Sequence, residues 1–566
     1  MPRNFILVAA LVLVFPANSI AQTSSEERIQ FLSEQLSLGS EVSLAGASLA
    51  STHIIPRFYT DRSFTLAWSD DKRVDEFVRL IGQAEEEGLD PTDYLYVEIS
   101  GLLEEYRADR DNDVLRADVD VLLTESLSRY GYHLIYGKVD PTDLDENWNW
   151  SRSMSGRDPV ALVQQAIDSE SIETFIDNFL ERGRIYQRVK AILAEYRALK
   201  KQGGWPQVAS GPTLKLGMND ERIPVVRERL AITGDLPVSE ASGGGSFDES
   251  LQRGVVQFQY RHNLEQDGAI GPQTLAAMNV TVDERVNQIR VNLERIRWVV
   301  RDLENVFVIT NIAAFRTVLV RDGEIVWSER SQVGRYYRQT PVFKGQIKYL
   351  QFNPTWTVPP GILAKDILPQ VQKDPSYLAK KNMDLIDRDG NTVDPASVDW
   401  SQYVAGRMPP YQFVQRPGPT NALGRVKFIF PNPHFVFLHD TPSKSLFERT
   451  ERSFSSGCIR VENPFELAAL LLNDPAKWNS ATIQQVLDSE KPRTVFLKEP
   501  VTAMLLYSTV DVTDAEVVRF YRDIYRRDAP VLKSLDDDFE FRLPADAPAF
   551  LETVSRSGDI RIRNKI

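Results

Sequence analysis

"HDTPSKSLFERTERSFSSGCIRVENP", residues His439 to Pro464, contains the only cysteine of a 566-residue chain. The run that leads into it, "HFVFLHD", reads as a strand ending at His439, and "SGCIRV" leads into a second strand or turn holding Cys458. The offset of nineteen residues between His439 and Cys458 is enough for a loop that sets two strand ends side by side. A cysteine attacks as its thiolate, and a neighbouring imidazole can take the proton. The histidine then needs a third group on its other ring nitrogen to fix the tautomer. Arg460 would add positive potential near the sulfur. Gly457 would let the backbone approach a substrate carbonyl, so that the N–H groups of Gly457 and Cys458 form an oxyanion hole. His434 lies five residues before His439, which places it on the opposite face of a strand. The competing reading is a core cysteine beside a core histidine.

The bulk properties set the context for that thiol. A chain of this length splits into several domains. Its net charge of -13 argues against nucleic acid as a partner, since phosphate binding needs basic surface. At the N-terminus, Arg3 precedes an apolar run from Phe5 to Phe15, and Ser19-Ile20-Ala21 offers small residues for cleavage after Ala21. Residues 1–21 are therefore expected to be a signal peptide, the alternative being an uncleaved tilted anchor. The run is shorter than the ~20 residues that span a bilayer, and no later segment reaches membrane length. Export normally favours disulfides, and a single cysteine allows none within the chain, so a retained thiol is either buried and inert or kept for chemistry. The five histidines (53, 133, 262, 434, 439) show no metal-ligand spacing, so no metal site is expected.

Working outward, residues 22 to about 52 read as a loose lead-in and residues up to about 200 as an all-α scaffold. "VDEFVRLIGQAEEEGL" sets Val74, Phe77, Val78 and Ile81 on one helical face, and Leu122, Leu127, Tyr130 and Leu134 form a similar stripe. Residues 205–280 read as a three-helix unit, its third helix opening near Pro272. A further helix covers "VDERVNQIRVNLERIRW". The period then changes to that of strands, with a hairpin at Arg321-Asp322-Gly323. Residues 300–500 are expected to be mainly β, interrupted at about 362–415 by a helical or irregular excursion that reads as a lid. Residues 501–566 read as a C-terminal extension of mixed helix and polar tail. The fold class expected is multidomain α+β.

Two parts of this map resemble known families. The run Phe258, Gln259, Leu264, Asp267, Gly268, Ile270, Gly271 and Thr274 resembles the hallmark of the small peptidoglycan-binding module, the alternative being a structural insert that binds no glycan. "HDTP…LF…R…SSGCIRV" resembles the active-site signature of the YkuD-type L,D-transpeptidases, in their large periplasmic YcbB-like form. "VGRYYRQTPVF", "FNPTWTVPP", "RPGPTNALGRVKF", "EGLDPTDY" and "GKVDP" support that resemblance over most of the chain. Many members carry a histidine directly before Gly-Cys, where this chain has Ser456, so no role of that histidine transfers.

The resemblance implies a periplasmic enzyme in which His439 deprotonates Cys458 and the thiolate attacks the third residue of a peptidoglycan stem peptide. D-Ala leaves, and the side-chain amine of a second stem resolves the thioester into a 3→3 cross-link. The orienting partner of His439 would be a backbone carbonyl near Asp440 or Asp440 itself. Tyr403, Tyr411 and Trp356 would face the substrate, unless they are packing residues. No metal or organic cofactor is required, carbapenems would inactivate the thiol, and cell-wall synthases are candidate protein partners. Water as acceptor would make the chain an L,D-carboxypeptidase, and a protein lysine would make it attach lipoproteins. A non-catalytic cell-wall scaffold is the reading from a different class.

Overall fold

The computed structural model describes residues 23–150, 157–180, 183–404, 407–513 and 515–539. The expected signal peptide lies outside them, as does the tail from 540. No described helix is long and apolar enough to cross a membrane.

The segment expected to be a loose lead-in is ordered. Ser24 caps a helix over Ser25–Ser37, Glu27 reaches back to complete a capping box, and Ile29, Leu32 and Leu36 enter the scaffold core. Apart from a short hairpin of Ser43–Leu44 with Ala47–Ser48, the scaffold is helical, centred on Asp113–Tyr136, which is buried along most of its length. The three-helix unit comprises Ile223–Ile232, Glu249–Arg261 and Pro272–Met278 around its own apolar cluster. Its sequence hallmark has a structural cause. The Gln259 amide donates to Asp267 Oδ1 at 2.8 Å and to the Ala269 carbonyl at 2.9 Å, while its oxygen accepts the Gly268 N–H at 2.9 Å. One buried side chain thus closes the turn before the third helix.

The helix Val282–Val299 joins these parts. It packs on Gly183–Lys201 of the scaffold, and its fully buried Glu294 accepts the Val139 N–H at 2.8 Å, Arg297 at 2.9 Å and the Trp298 indole N–H at 3.1 Å. A buried carboxylate is tolerated only when its lone pairs are satisfied in this way.

Nine strands form the large sheet: β1 (Val306–Asn311), β2 (Arg316–Arg321), β3 (Glu324–Gly334), β4 (Phe343–Phe352), β5 (Val426–Ile429), β6 (Leu438–His439), β7 (Ser453–Ser455), β8 (Ile459–Val461) and β9 (Arg493–Leu506). Their order is β7-β3-β8-β6-β5-β4-β9-β1-β2, and β3 also pairs with β2, so the sheet closes on itself as a barrel. The β2–β3 turn is the expected Asp322-Gly323 hairpin, with φ of 50° and 81° at its two central residues. The sheet continues to Leu506, beyond the boundary expected at 500, and β9 lies in its interior between β4 and β1. Val510–Val512 then pairs with Val518–Phe520, and a helix covers Asp528–Asp536.

The insertion between β4 and β5 is a cap of mixed structure rather than a helical one. Short helical turns fill 360–380, and four strands of two to four residues form a separate antiparallel sheet. Strands so short show no readable alternation, which is why the sequence suggested helix or coil. Leu363, Ile367, Val371, Leu385, Trp400 and Phe413 belong to a core of the cap's own.

Replacing Glu294 by Ala leaves the buried Arg297 with only the more distant Glu87 carboxylate at 3.6 Å and takes the acceptor from the Val139 and Trp298 N–H groups, and we expect a loss of about 3–5 kcal/mol in unfolding free energy. Urea denaturation measures it. A loss below ~1 kcal/mol would show that the junction is not built on this carboxylate.

Candidate active site

The parallel pair β6–β8 aligns Leu438 with Ile459 and His439 with Arg460. Paired residues share a face, and alternation then sorts the whole row. One face carries Gln332, Arg460, His439, Lys427 and Gln351 in successive strands. The other carries Ile459, Leu438, Phe428 and Leu350, all buried. Cys458 stands two residues before Arg460 at the head of β8, so nucleophile, base and two cations belong to the polar face.

His439 is almost fully buried. Its Nδ1 lies 2.5 Å from the Asp440 carbonyl oxygen, so Nδ1–H donates there and Nε2 is left with its lone pair. The Asp440 carboxylate does not touch the ring. It accepts the Arg425 N–H at 2.8 Å and pairs with Lys444. Gly424 (φ 62°) makes this possible, because a Cβ there would collide with the Asp440 carboxylate.

The cysteine loop is held by hydroxyls. Ser455 Oγ accepts the Gly457 N–H at 3.1 Å and donates to the Cys458 carbonyl at 2.5 Å, and Thr340 Oγ1 donates to the Gly457 carbonyl at 2.8 Å. Gly457 has φ 120°, a conformation side-chain-bearing residues rarely adopt. The Gly457 N–H, expected beside that of Cys458 in an oxyanion hole, is therefore engaged by Ser455. The Cys458 N–H has no protein hydrogen bond among the described residues and remains available. Behind the loop, the Tyr525 hydroxyl donates to the Gly334 carbonyl at 2.5 Å and accepts the Thr340 N–H at 3.2 Å. The C-terminal extension, which had no assigned purpose, thus buttresses the loop that holds Gly457.

Cys458 keeps partial access to solvent. Its Sγ lies 3.7 Å from the Phe435 carbonyl, and in this state its hydrogen bond goes there and not to His439. Phe435 is left-handed (φ 54°) and its ring is exposed. β6 is consequently only two residues long, and the strand expected from His434 does not form. His434 instead packs against Phe343.

Burial pushes the Cys458 thiol up, opposed by the Phe437 N–H and by the charges of Lys427 and Arg460. Burial, reinforced by those same cations, pushes His439 down to about 3, opposed by the Asp440 and Leu423 carbonyls. The site therefore rests as a neutral thiol and a neutral imidazole. No role was expected from sequence for Lys427, Gln332, Ser455 or Thr340, although Ser455 and Thr340 belong to the motifs that carry the resemblance. A lysine alternating with Val426 and Phe428 on a strand was the only available sign of the first.

Of the three aromatics expected to face the substrate unless they pack, Trp356 and Tyr411 remain partly exposed. Tyr403 is buried in the cap core, and Trp356 and Tyr411 pack against the same cluster. Ser456 is exposed, and its hydroxyl accepts from Arg338 at 2.8 Å. Among the described residues, no group of three or more His, Cys, Asp or Glu is placed to hold a metal ion.

Residues 305–491 match the L,D-transpeptidase catalytic domain family (YkuD), residues 219–278 the family described as "Putative peptidoglycan binding domain", and residues 53–193 the Scaffold domain family. That order fits the YcbB-like architecture that the sequence resembles. A protein of Haemophilus influenzae named "Putative L,D-transpeptidase" is 35% identical over 245 residues, 43% of this chain and 48% of its own length. The match thus spans about half of that relative. A solved L,D-transpeptidase fragment from Xylanimonas cellulosilytica shares 15% identity over 53% of this chain and 99% of its own, with a TM-score of 0.18, too slight a likeness to argue from.

Two pH effects follow. Alkylation of Cys458 by iodoacetamide should climb with pH and reach half its maximum above the ordinary thiol pKa of ~8.5, and Lys427→Met, by removing a charge that favours the thiolate, should raise that midpoint. A plateau reached below pH 7 would reveal a preformed ion pair and contradict the assignment. Because unfolded histidine takes up a proton near pH ~6.5 and folded His439 refuses it until about 3, stability should fall as pH drops between those values, by on the order of 1 kcal/mol per unit. His439→Gln should reduce the slope by that amount in urea titrations, the buried His262 keeping a contribution of the same sign. An unchanged slope would contradict it.

Proposed function

We propose that this chain, which carries a YkuD-type L,D-transpeptidase catalytic domain beside a scaffold domain and a peptidoglycan-binding domain, is a peptidoglycan L,D-transpeptidase that forms 3→3 cross-links through an acyl-enzyme on Cys458. The observation that carries the reading is the shared sheet face of Cys458, Arg460 and His439, with Nδ1 of the histidine on the Asp440 carbonyl.

In the proposed cycle, His439 Nε2 takes the thiol proton as sulfur attacks the carbonyl of the third stem residue. The tetrahedral oxyanion accepts the Cys458 N–H. Nε2 then returns the proton to the departing D-Ala nitrogen, leaving the thioester. The side-chain amine of a second stem attacks that thioester, Nε2 takes the amine proton, and the released thiolate regains it. Starting from two neutral groups suits this sequence, since no charge has to be desolvated before substrate arrives. Lys427 and Arg460 favour the thiolate as it forms, and the Asp440 and Leu423 carbonyls favour the imidazolium. A thiol acyl-enzyme of this kind would also be acylated by carbapenems. We further infer from the N-terminal run that the chain works in the periplasm.

The test is to incubate the chain with purified tetrapeptide muropeptides and read the products by mass spectrometry. Loss of D-Ala with formation of 3→3 dimers, abolished in Cys458→Ala, is expected. Monomeric tripeptide alone would replace the transpeptidase reading by a carboxypeptidase, and no D-Ala release would contradict both.

A further inference from the structure

Arg338 lies in the turn after β3 and joins two parts of the molecule that share no core. Its Nη1 donates to the Ser456 hydroxyl at 2.8 Å and pairs with Asp366 Oδ2 of the cap at 2.6 Å. Ser456 is two residues from Cys458. A carboxylate oxygen is therefore already seated on a guanidinium beside the candidate nucleophile.

We propose that Arg338 recognises the terminal carboxylate of the donor stem peptide, and that Asp366 occupies its place until the donor arrives. This rests on the function proposed above and names the residue that would choose the donor. Expulsion of a C-terminal residue puts that residue's carboxylate one residue beyond the attacked carbonyl, so its receptor must sit close to the sulfur. Four cations are near enough to be considered, and the first, Arg335, gives Nη1 to the Tyr337 hydroxyl at 3.3 Å. Arg460 gives Nη1 to Gln332 Oε1 at 3.1 Å and keeps a buried, unpartnered Nε, and Lys427 Nζ lies on the Phe437 ring, 3.8 Å from its centroid. Both face the buried part of the site, where they act on the thiol's charge. Arg338 differs from them in already holding a carboxylate, that of Asp366, beside Ser456. Its Nε and Nη2 make no hydrogen bond among the described residues, so the two-pronged grip that guanidinium offers a carboxylate is open while Asp366 holds one prong.

The Asp366 contact is also built to yield. Its side chain is 40% exposed, so water already competes for it. It stands in a π-helical turn over Leu363–Ile367, a widened geometry that recurs at functional positions. The cap's apolar residues pack among themselves, so releasing the pair unpacks no shared core. A donor carboxylate that takes Nη1 and Nη2 end-on displaces Asp366 and frees the cap from the cysteine loop, whereas one on the free Nε–Nη2 edge is repelled by Asp366 for as long as that carboxylate stays.

The test compares Cys458 alkylation by iodoacetate and by iodoacetamide at one pH, reagents that differ in a carboxylate and need no turnover. Asp366→Asn should raise the iodoacetate-to-iodoacetamide rate ratio severalfold. Arg338→Met should lower it, Arg338→Lys should fall between, and the double variant should match Arg338→Met. With tetrapeptide as donor, Arg338→Met should raise KM and Asp366→Asn lower it, while a donor amidated at its C-terminus should respond to neither. An unchanged alkylation ratio in Asp366→Asn and both Arg338 variants overturns the proposal. A shifted ratio without any tetrapeptide turnover supports the carboxylate site and counts against the transpeptidase reading alone.

Discussion

Two residue pairs, Leu438 with Ile459 and His439 with Arg460, hold β6 and β8 side by side in parallel, and the rest of the site depends on them. Parallel neighbours cannot be joined by a tight turn and need a crossover of a dozen or more residues. The nineteen-residue interval between His439 and Cys458 is that crossover, and it has room for β7, which pairs with the end of β3. Because the pairing is in register, a slip of one residue would turn His439 into the apolar layer now filled by Leu438. The buried Leu438, Ile459, Phe428 and Leu350 make such a slip costly, so the apolar face fixes where the polar face presents its groups.

The same burial sets the chemistry. A half-covered thiol and a buried imidazole both resist charging, while Lys427 and Arg460 oppose the desolvation of the thiol and add to that of the histidine. The outcome is a neutral pair whose tautomer is fixed by a peptide carbonyl rather than a carboxylate. Asp440 contributes through its main chain and spends its side chain on Arg425 and Lys444. Around this core, hydroxyls of Ser455, Thr340 and Tyr525 hold the Gly457 backbone in a conformation it would otherwise leave readily.

Long, regular elements were legible from the residues alone. The scaffold helices, the three-helix unit and the Asp322-Gly323 hairpin follow from periodicity and turn chemistry that tertiary contacts reinforce. His439 and Cys458 stood out because a single thiol in a chain expected to be exported invites an explanation. What escaped was decided at longer range. The left-handed Phe435 ends a strand that its composition favours, the cap sheet is made of strands too short to alternate, and the 493–506 strand is placed by partners far away in sequence. Residues 25–37 looked too polar to fold, yet the capping box Ser24–Glu27 was readable and three apolar residues sufficed. Arg338 gave no local sign, since both of its partners are remote along the chain.

The central claim is that Cys458 carries the acyl group. The most direct measurement is intact and peptide-level mass spectrometry of the chain quenched during reaction with a tetrapeptide donor in the absence of an amine acceptor. A tripeptide thioester is expected on the peptide containing Cys458, slower to form in His439→Gln and absent from Cys458→Ala. Release of D-Ala with no adduct at Cys458, or by the Cys458→Ala chain, would contradict it.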